Sequence, residues 1–335
     1  MKKNLFFTLA ITLCTIVLLQ GCKKQMAPSS ADSDSDFSSS FFHKSNCQLV
    51  HLEWFNAFVW DFHYNNKGLS DQWKIDIGDG FPQFYTMEYD RFNRLVRTHD
   101  SYTINGTIYT DLFTYSGNRL ARHTWTNNIT PDQGDVRFTY NGKGEIVRED
   151  DPVNDLHNYL FYDRFGNCTR SDYYAGSDLY FSDNYTFNFP IENPCLTVRG
   201  VDIMFPYSGT GLWNKWWFTS NKGILYDNGT PIVANDYDPR KTIMKTGFQH
   251  HLVSADYFDN VTQAAAPISF GYDNCSGHWD GPGSASSQNK TSSGGDKTIA
   301  QIRSFLFHAS AQMLKDHLKD WIKQAKENQA RSQMN

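Results

Sequence analysis

The side chains best suited to chemistry in this 335-residue chain are a tryptophan cluster, a histidine pair, a handful of cysteines and an excess of aspartate. Trp213-Asn214-Lys215-Trp216-Trp217-Phe218 follows the glycine- and serine-bearing stretch Tyr207-Ser208-Gly209-Thr210-Gly211. On a strand, Trp213 and Trp217 share one face and Trp216 takes the other, because successive side chains alternate. An indole turned away from the core stacks on sugar rings or meets a partner, whereas one turned inward adds a hydrophobic layer. These three tryptophans are the candidate ligand-binding residues, with packing beneath a terminal helix as the competing role. The pair His250-His251 cannot aim both rings at one ion from a strand, even with Asp256 and Asp259 nearby. Asp32, Asp34 and Asp36 open a calcium-loop spacing that fails at Phe37, where glycine is needed, and at His43, where glutamate is needed. No metal and no other cofactor is expected. The chain contains no HExxH, GxSxG or phosphate-loop motif. A pair of hydrolytic carboxylates leaves no spacing signature, but 30 Asp against 6 Glu offers few candidates for a raised-pKa acid. No catalytic residue is assigned: a non-enzymatic role is expected, and a hydrolase ranks last.

Another reactive position lies near the N-terminus. Met1-Lys2-Lys3, an apolar run from Leu5 to Leu19, and Leu19-Gln20-Gly21-Cys22 follow one another. A basic start before an apolar run of about 15 residues has the pattern of an export signal. As a helix the run spans only roughly 22 Å, short of a hydrocarbon core of roughly 30 Å. Its end resembles the bacterial lipobox, matched at Leu19, Gly21 and Cys22. That resemblance implies cleavage before Cys22 and acylation of its thiol, with two or three chains to hold the protein on a membrane. Lys23 rather than aspartate follows the lipid cysteine, which by the same resemblance implies the outer membrane. The Ser- and Asp-rich segment up to residue 46 is too poor in apolar residues to fold alone and reads as a tether.

Four further cysteines, Cys47, Cys168, Cys195 and Cys275, lack CxxC spacing. In an exported chain they are candidate disulfide cysteines with the pairing open, and buried thiols are the alternative. The formal charge of −5 moves to −7 once Lys2 and Lys3 are removed, and no basic patch invites nucleic acid. Aspartate favours turns, whereas the 52 Phe, Tyr and Trp side chains favour pleated surfaces. The body is expected to be mainly β.

The elements that must position these residues are announced by self-similarity. Phe62-His63-Tyr64-Asn65-Asn66-Lys67-Gly68-Leu69 is followed by Met87-Glu88-Tyr89-Asp90-Arg91-Phe92-Asn93-Arg94-Leu95. Phe113-Thr114-Tyr115-Ser116-Gly117-Asn118-Arg119-Leu120, Phe138-Thr139-Tyr140-Asn141-Gly142-Lys143-Gly144-Glu145-Ile146 and Leu160-Phe161-Tyr162-Asp163-Arg164-Phe165-Gly166-Asn167-Cys168 complete the series. The marker tyrosines lie 25, 26, 25 and 22 residues apart, the signature of a repeat architecture. Alternating aromatics, a turn rich in Asn, Asp and Gly, and renewed alternation describe one hairpin per unit. The units resemble the tyrosine-aspartate (YD) repeats of the RHS type, though only Tyr89-Asp90 and Tyr162-Asp163 keep the full dipeptide. That resemblance implies a fold and a surface location, not an activity, and five units alone are too few to close a shell.

Phe187-Asn188-Phe189-Pro190, Phe218 to Ile224 and Phe270-Gly271-Tyr272-Asp273-Asn274 read as worn copies. From Asp296 to about Ala330 apolar residues recur at helical spacing. The expected architecture is an antiparallel meander of repeated hairpins with one long C-terminal helix. Its parts are a signal peptide (1–21), a lipidated tether (22–46), a repeat β domain (47–280), a loop (281–295) and the helix (296–330). The expected role is binding or scaffolding by a lipid-anchored outer-membrane protein, with membrane, polysaccharide or another surface protein as partners. A glycan-binding component of a nutrient-uptake system is the alternative.

Overall fold

The computed structural model describes residues 47–54, 58–76, 82–102, 106–129, 133–187, 191–198, 216–246, 251–273 and 311–334. Seventeen strands belong to one sheet. They are β1 (Gln48–Trp54), β2 (Phe58–Tyr64), β3 (Ser70–Asp76), β4 (Gln83–Tyr89), β5 (Leu95–Tyr102), β6 (Thr107–Ser116), β7 (Arg119–Asn127), β8 (Gln133–Tyr140) and β9 (Ile146–Asp151). There follow β10 (Leu156–Tyr162), β11 (Cys168–Ala175), β12 (Asp178–Thr186), β13 (Ser220–Asp227), β14 (Thr230–Asp236), β15 (Ile243–Thr246), β16 (Leu252–Asp259) and β17 (Ala264–Asp273). A helix α1 (Ala311–Met334) ends the described chain. This is the mainly β meander with a C-terminal helix that the sequence leads one to expect.

Four of the five repeat units build the same corner, while the Tyr115 unit, with Ser116 in place of Asn or Asp, turns at Gly117 with φ 61°. The Asn or Asp after the marker tyrosine accepts, through Oδ1, the amides two and four residues on. Asn65 takes Lys67 and Leu69 at 2.9 and 3.2 Å, and Asp90 takes Phe92 and Arg94 at 2.8 and 3.0 Å. Asn141 and Asp163 repeat the pattern. Asparagine can therefore replace aspartate, because the two backbone amides need only one oxygen; where aspartate stands, its Oδ2 also accepts a side chain, from Arg94 at 2.8 Å or Asn167 at 2.9 Å. Three residues after it the backbone turns left-handed, at Gly68, Asn93, Gly144 and Gly166, with φ between 60° and 88°. Glycine, or asparagine at 93, is what that conformation tolerates.

Immediately before each turn the pairing slips by one residue, at His63/Tyr64, Glu88/Tyr89, Thr114/Tyr115, Thr139/Tyr140 and Phe161/Tyr162. All five marker tyrosines thus sit at β-bulges, which bend a strand and raise its twist. Each phenol donates to a backbone carbonyl of the neighbouring odd-numbered strand. The bonds are Tyr64 to Leu49 (2.6 Å), Tyr89 to Ser70 (2.5 Å), Tyr115 to Leu95 (2.7 Å), Tyr140 to Leu120 (2.8 Å) and Tyr162 to Ile146 (2.7 Å). The worn copy keeps the same bond, from Tyr272 to Leu252 at 2.7 Å.

Repeated at one edge, these bends curl the sheet until it closes. Strands β1 to β14 pair antiparallel in sequence, and β15, β16 and β17 do likewise. β17 returns to β1, with Gln48 opposite Asp273. The remaining seam is made where β14 runs out along β16. Asp238 N donates to Phe258 O at 2.9 Å and Asn260 N to Asp236 O at 2.8 Å. Buried Asp259 clamps that seam by accepting the amides of Asp236 and Val261 at 2.8 and 3.0 Å and the hydroxyl of Thr262 at 2.8 Å. Five units alone do not make a shell, but the described strands β1 to β17 close one, because strands before and after the five units supply the rest.

Inside, one apolar cluster gathers Leu49, Leu52, Trp73, Leu95, Phe113, Trp217, Phe218 and Phe270. A second is made by α1, whose stripe of Leu318, Trp321, Ile322 and Ala325 meets Tyr173, Phe181, Leu225, Ile232 and Ala234. Phe181 of the second cluster and Tyr185 of the first lie four apart on β12, so the helix covers the same inner face. The phenol-to-carbonyl bonds hold the corners: Tyr89→Phe and Tyr162→Phe should each cost about 1 kcal/mol in urea unfolding. The two corners lie several strands apart, so the double mutant should lose the sum. Wild-type stability in both single mutants would show that the corners hold without them.

Candidate functional site

The structure divides the residues singled out by sequence. Trp217 is fully buried, 0% exposed, with Nε1 donating to Tyr257 Oη at 2.7 Å and its ring edge-on to Phe270 at 5.1 Å. As part of a ligand platform it is therefore corrected: the irregular segment before β13 turns this indole into the core, under Trp54 at 6.0 Å. Trp216 is half-buried and bridges Glu192. Trp213 lies outside the described residues, as do Cys22, Cys275 and His250. Cys47 is disulfide-bonded. Cys168 and Cys195 are corrected from disulfide candidates to buried thiols. Burial pushes the Cys168 thiol up to about 12 and raises Cys195 as well, so neither is a nucleophile. His251 is half-buried beside Tyr272, and burial lowers its pKa.

Two arrangements stand out instead, one on each face of β9 to β13. On the outer face Tyr159 and Tyr174 meet edge to face at 5.5 Å. Arg148 lies over Tyr159 at 5.2 Å, and Arg170 lies 3.8 Å from the ring of Phe161, which is 40% exposed. Between the rings run hydrogen-bonding groups: Asp150 bridges Arg148 and His157 at 2.7 Å each, Arg170 reaches Asp172 at 3.2 Å, and Ser182 donates to Asp172 at 2.7 Å. Tyr226 of β13 belongs to the same patch, for after burial its raised pKa reflects Asp172. Register produces this alignment, with Tyr159 opposite Asp172 and His157 opposite Tyr174. Spacing along the chain does not announce it, because no contiguous stretch concentrates these rings. The available signal was the off-register position beside each marker, Phe161 next to Tyr162.

A belt of polar groups faces inward, starting on β5 to β7 and running round to β14. Asp111 accepts from Thr98 Oγ1 at 2.7 Å and pairs with His123 Nε2 at 2.7 Å, while Phe113 stacks on the imidazole at 4.7 Å. Further round, Asp183 accepts from Tyr185 and Asn221, and Asn235 links Asn221 to the Gly223 amide. Between these networks sits Glu149, 1% exposed, whose Oε2 accepts from Asn158 Nδ2 at 2.9 Å. Burial pushes its carboxyl up to about 8, against the Asn158 bond and with help from Asp150. Glu149 Oε1, Asn158 Oδ1, Ser171 Oγ and Tyr173 Oη have no hydrogen-bond partner of good geometry.

No family model and no curated protein matches this chain. Among solved structures it is similar to a porin-like protein from Bacteroides uniformis at 12% identity, with 68% of this chain and 96% of that one covered and a TM-score of 0.43. A porin-like protein from Bacteroides vulgatus gives 9% identity, 67% and 98% coverage and a TM-score of 0.34. The Photorhabdus luminescens Tc holotoxin pore gives 9% identity, 59% of this chain against 11% of that one and a TM-score of 0.27. All lie below a TM-score of 0.5, so the fold rests on its own hydrogen-bonded registers.

The outer face is built for water. Glu88, Arg97, Arg122, Arg137, Arg148 and Arg170 all project from it, each ion-paired there and each costly in lipid, about 2 to 4 kcal/mol for an arginine at mid-bilayer. For the core, Trp217→Ala should cost about 3 to 5 kcal/mol in urea unfolding, and a loss under 1 kcal/mol would contradict its packing role. For Glu149 the folded pKa exceeds the unfolded one. Its stabilising share is therefore complete below pH 4.5 and lost as pH rises to about 8. In choline buffers the melting temperature should fall across that window, and Glu149→Gln should flatten the fall; identical profiles would refute the neutral acid.

Proposed function

We propose that this protein is an exported lipoprotein, held to the outer membrane through acylated Cys22, whose closed β shell serves as a non-enzymatic binding module. The observation that carries the reading is the outer patch of Tyr159, Phe161, Tyr174 and Tyr226 interleaved with Arg148, Asp150, His157, Arg170 and Asp172. Closure of the shell fixes those side chains on a rigid surface, which spares a ligand the cost of ordering them. The N-terminal pattern ending in Cys22 supports the anchor, and the likeness of the units to YD repeats supports a surface location.

The chemistry of the patch favours a polysaccharide over a protein partner. Sugar rings offer an apolar C–H face to aromatic rings and vicinal hydroxyls to paired charged groups. A surface protein that binds glycan without cleaving it is the corresponding role in nutrient uptake. The full chain in detergent micelles, applied to a glycan array, should bind a polysaccharide. Tyr159→Ala and Phe161→Ala should each weaken that binding by about tenfold with little change in melting temperature. Silence of the wild type across the array would turn the reading to a protein partner. For the anchor, a labelled fatty acid should be incorporated into the wild type and not into Cys22→Ser; no label in the wild type would end the lipoprotein reading.

A further inference from the structure

The interior of β9 to β11 holds a set of atoms that the fold alone leaves unused. Glu149 lies opposite Asn158, and Asn158 lies opposite Tyr173. Ser171 stands two residues before Tyr173 on the same face, opposite Leu160. All four side chains are at least nine-tenths buried, at 1%, 3%, 2% and 0% exposure for Glu149, Asn158, Tyr173 and Ser171. Their nearness is chemical as well as topological: burial raises the pKa of Tyr173, the charges of Asp183 and Glu149 add to the rise, and the nearby Ser171 hydroxyl opposes it. The one nitrogen in the set, Asn158 Nδ2, is spent on Glu149 Oε2. What remains without a hydrogen bond of good geometry is four oxygens, namely Glu149 Oε1, Asn158 Oδ1 and the neighbouring hydroxyls Ser171 Oγ and Tyr173 Oη.

Orphaned buried polar atoms cost about 1 to 3 kcal/mol each, and four on one patch call for an occupant. The donor set selects it. Oxygen-only ligands suit hard cations and exclude the softer transition metals, which take nitrogen or sulfur. A single carboxylate balances a single positive charge, whereas calcium takes six to eight oxygens. The field is negative, because Asp183 acts on Tyr173 and Asp150 acts on Glu149. We infer that the shell interior binds one alkali cation, sodium or potassium, through Glu149, Asn158, Ser171 and Tyr173. The ion then ties three adjacent strands together under the outer patch and couples the stiffness of that patch to the salt outside the cell.

The test is thermal unfolding of the full chain in detergent at about pH 9, in sodium, potassium and choline chloride at equal ionic strength. Choline is too large for the interior and controls for general salt effects. A melting temperature that rises saturably with sodium or potassium, but not with choline, is expected, and Glu149→Gln should abolish the rise. Ser171→Ala removes one ligand from a tight site with the smallest change of volume, and should weaken the apparent affinity by about tenfold; it stands in should Glu149→Gln fail to fold. Equal melting temperatures in all three salts, a rise that survives Glu149→Gln, or an unaltered affinity in Ser171→Ala would each overturn the inference.

Discussion

The bond from a tyrosine hydroxyl to a backbone carbonyl of the next strand is the interaction on which this architecture turns. A bulge bends its strand but disrupts the ladder where it occurs. In each unit the phenol at the bulge supplies a donor to the same edge, so the bend is held rather than merely allowed. In four of the five units the turn that follows is fixed independently, by one side-chain oxygen taking two amides and by a left-handed residue three places on. Each bond contributes only about 1 kcal/mol. Its effect is geometric: the same bend, repeated at one edge, accumulates into closure, after which every strand from β1 to β13 has two partners.

Closure explains how so polar a sequence, with a mean hydropathy of −0.57, builds a core. A closed sheet needs apolar residues on its inner face only, and the large aromatics fill that space: Trp73, Trp125, Trp217, Tyr257 and Phe181 are all fully buried. The helix completes the filling where the strands present Phe181, Leu225 and Ile232. Polar groups enter the interior only as networks, since a buried donor or acceptor without a partner forfeits the hydration it gave up. Asp183 with Tyr185, Asn221 and Asn235 meets that condition. Around Glu149, by contrast, four oxygens on three adjacent strands lack a hydrogen bond.

The repeat, its hairpins and the terminal helix were legible in the sequence because they rest on local chemistry. Alternation, turn residues and a period of about 25 residues all survive in one dimension. The role of the tyrosine was not, since its acceptor lies 15 to 20 residues back. Closure was hidden for the same reason: the pairing of β17 with β1 spans the whole body, and Tyr272-Asp273 looks eroded although it keeps its bond. The tryptophan cluster misled because strand alternation was assumed for a segment in which Trp217 instead donates its amide to Ile191 at 2.7 Å and enters the core. The aromatic patch was invisible because register across five strands, not spacing along one, assembles it.

The two faces of the shell are under different constraints, and this bears on where recognition resides. Inward positions and turns are dictated by the corner, so they recur from unit to unit. Outward positions are released from that demand, and they differ: Phe84 and Thr86 on β4, Arg122 and Thr124 on β7, Tyr159 and Phe161 on β10. Open sheets often recruit partners by pairing along a free edge. Closure uses those edges up through β1 to β13, so a partner must read outward side chains rather than extend the ladder. The repeat thus fixes the scaffold, and the variable outer residues give each stretch of its surface a separate chemistry.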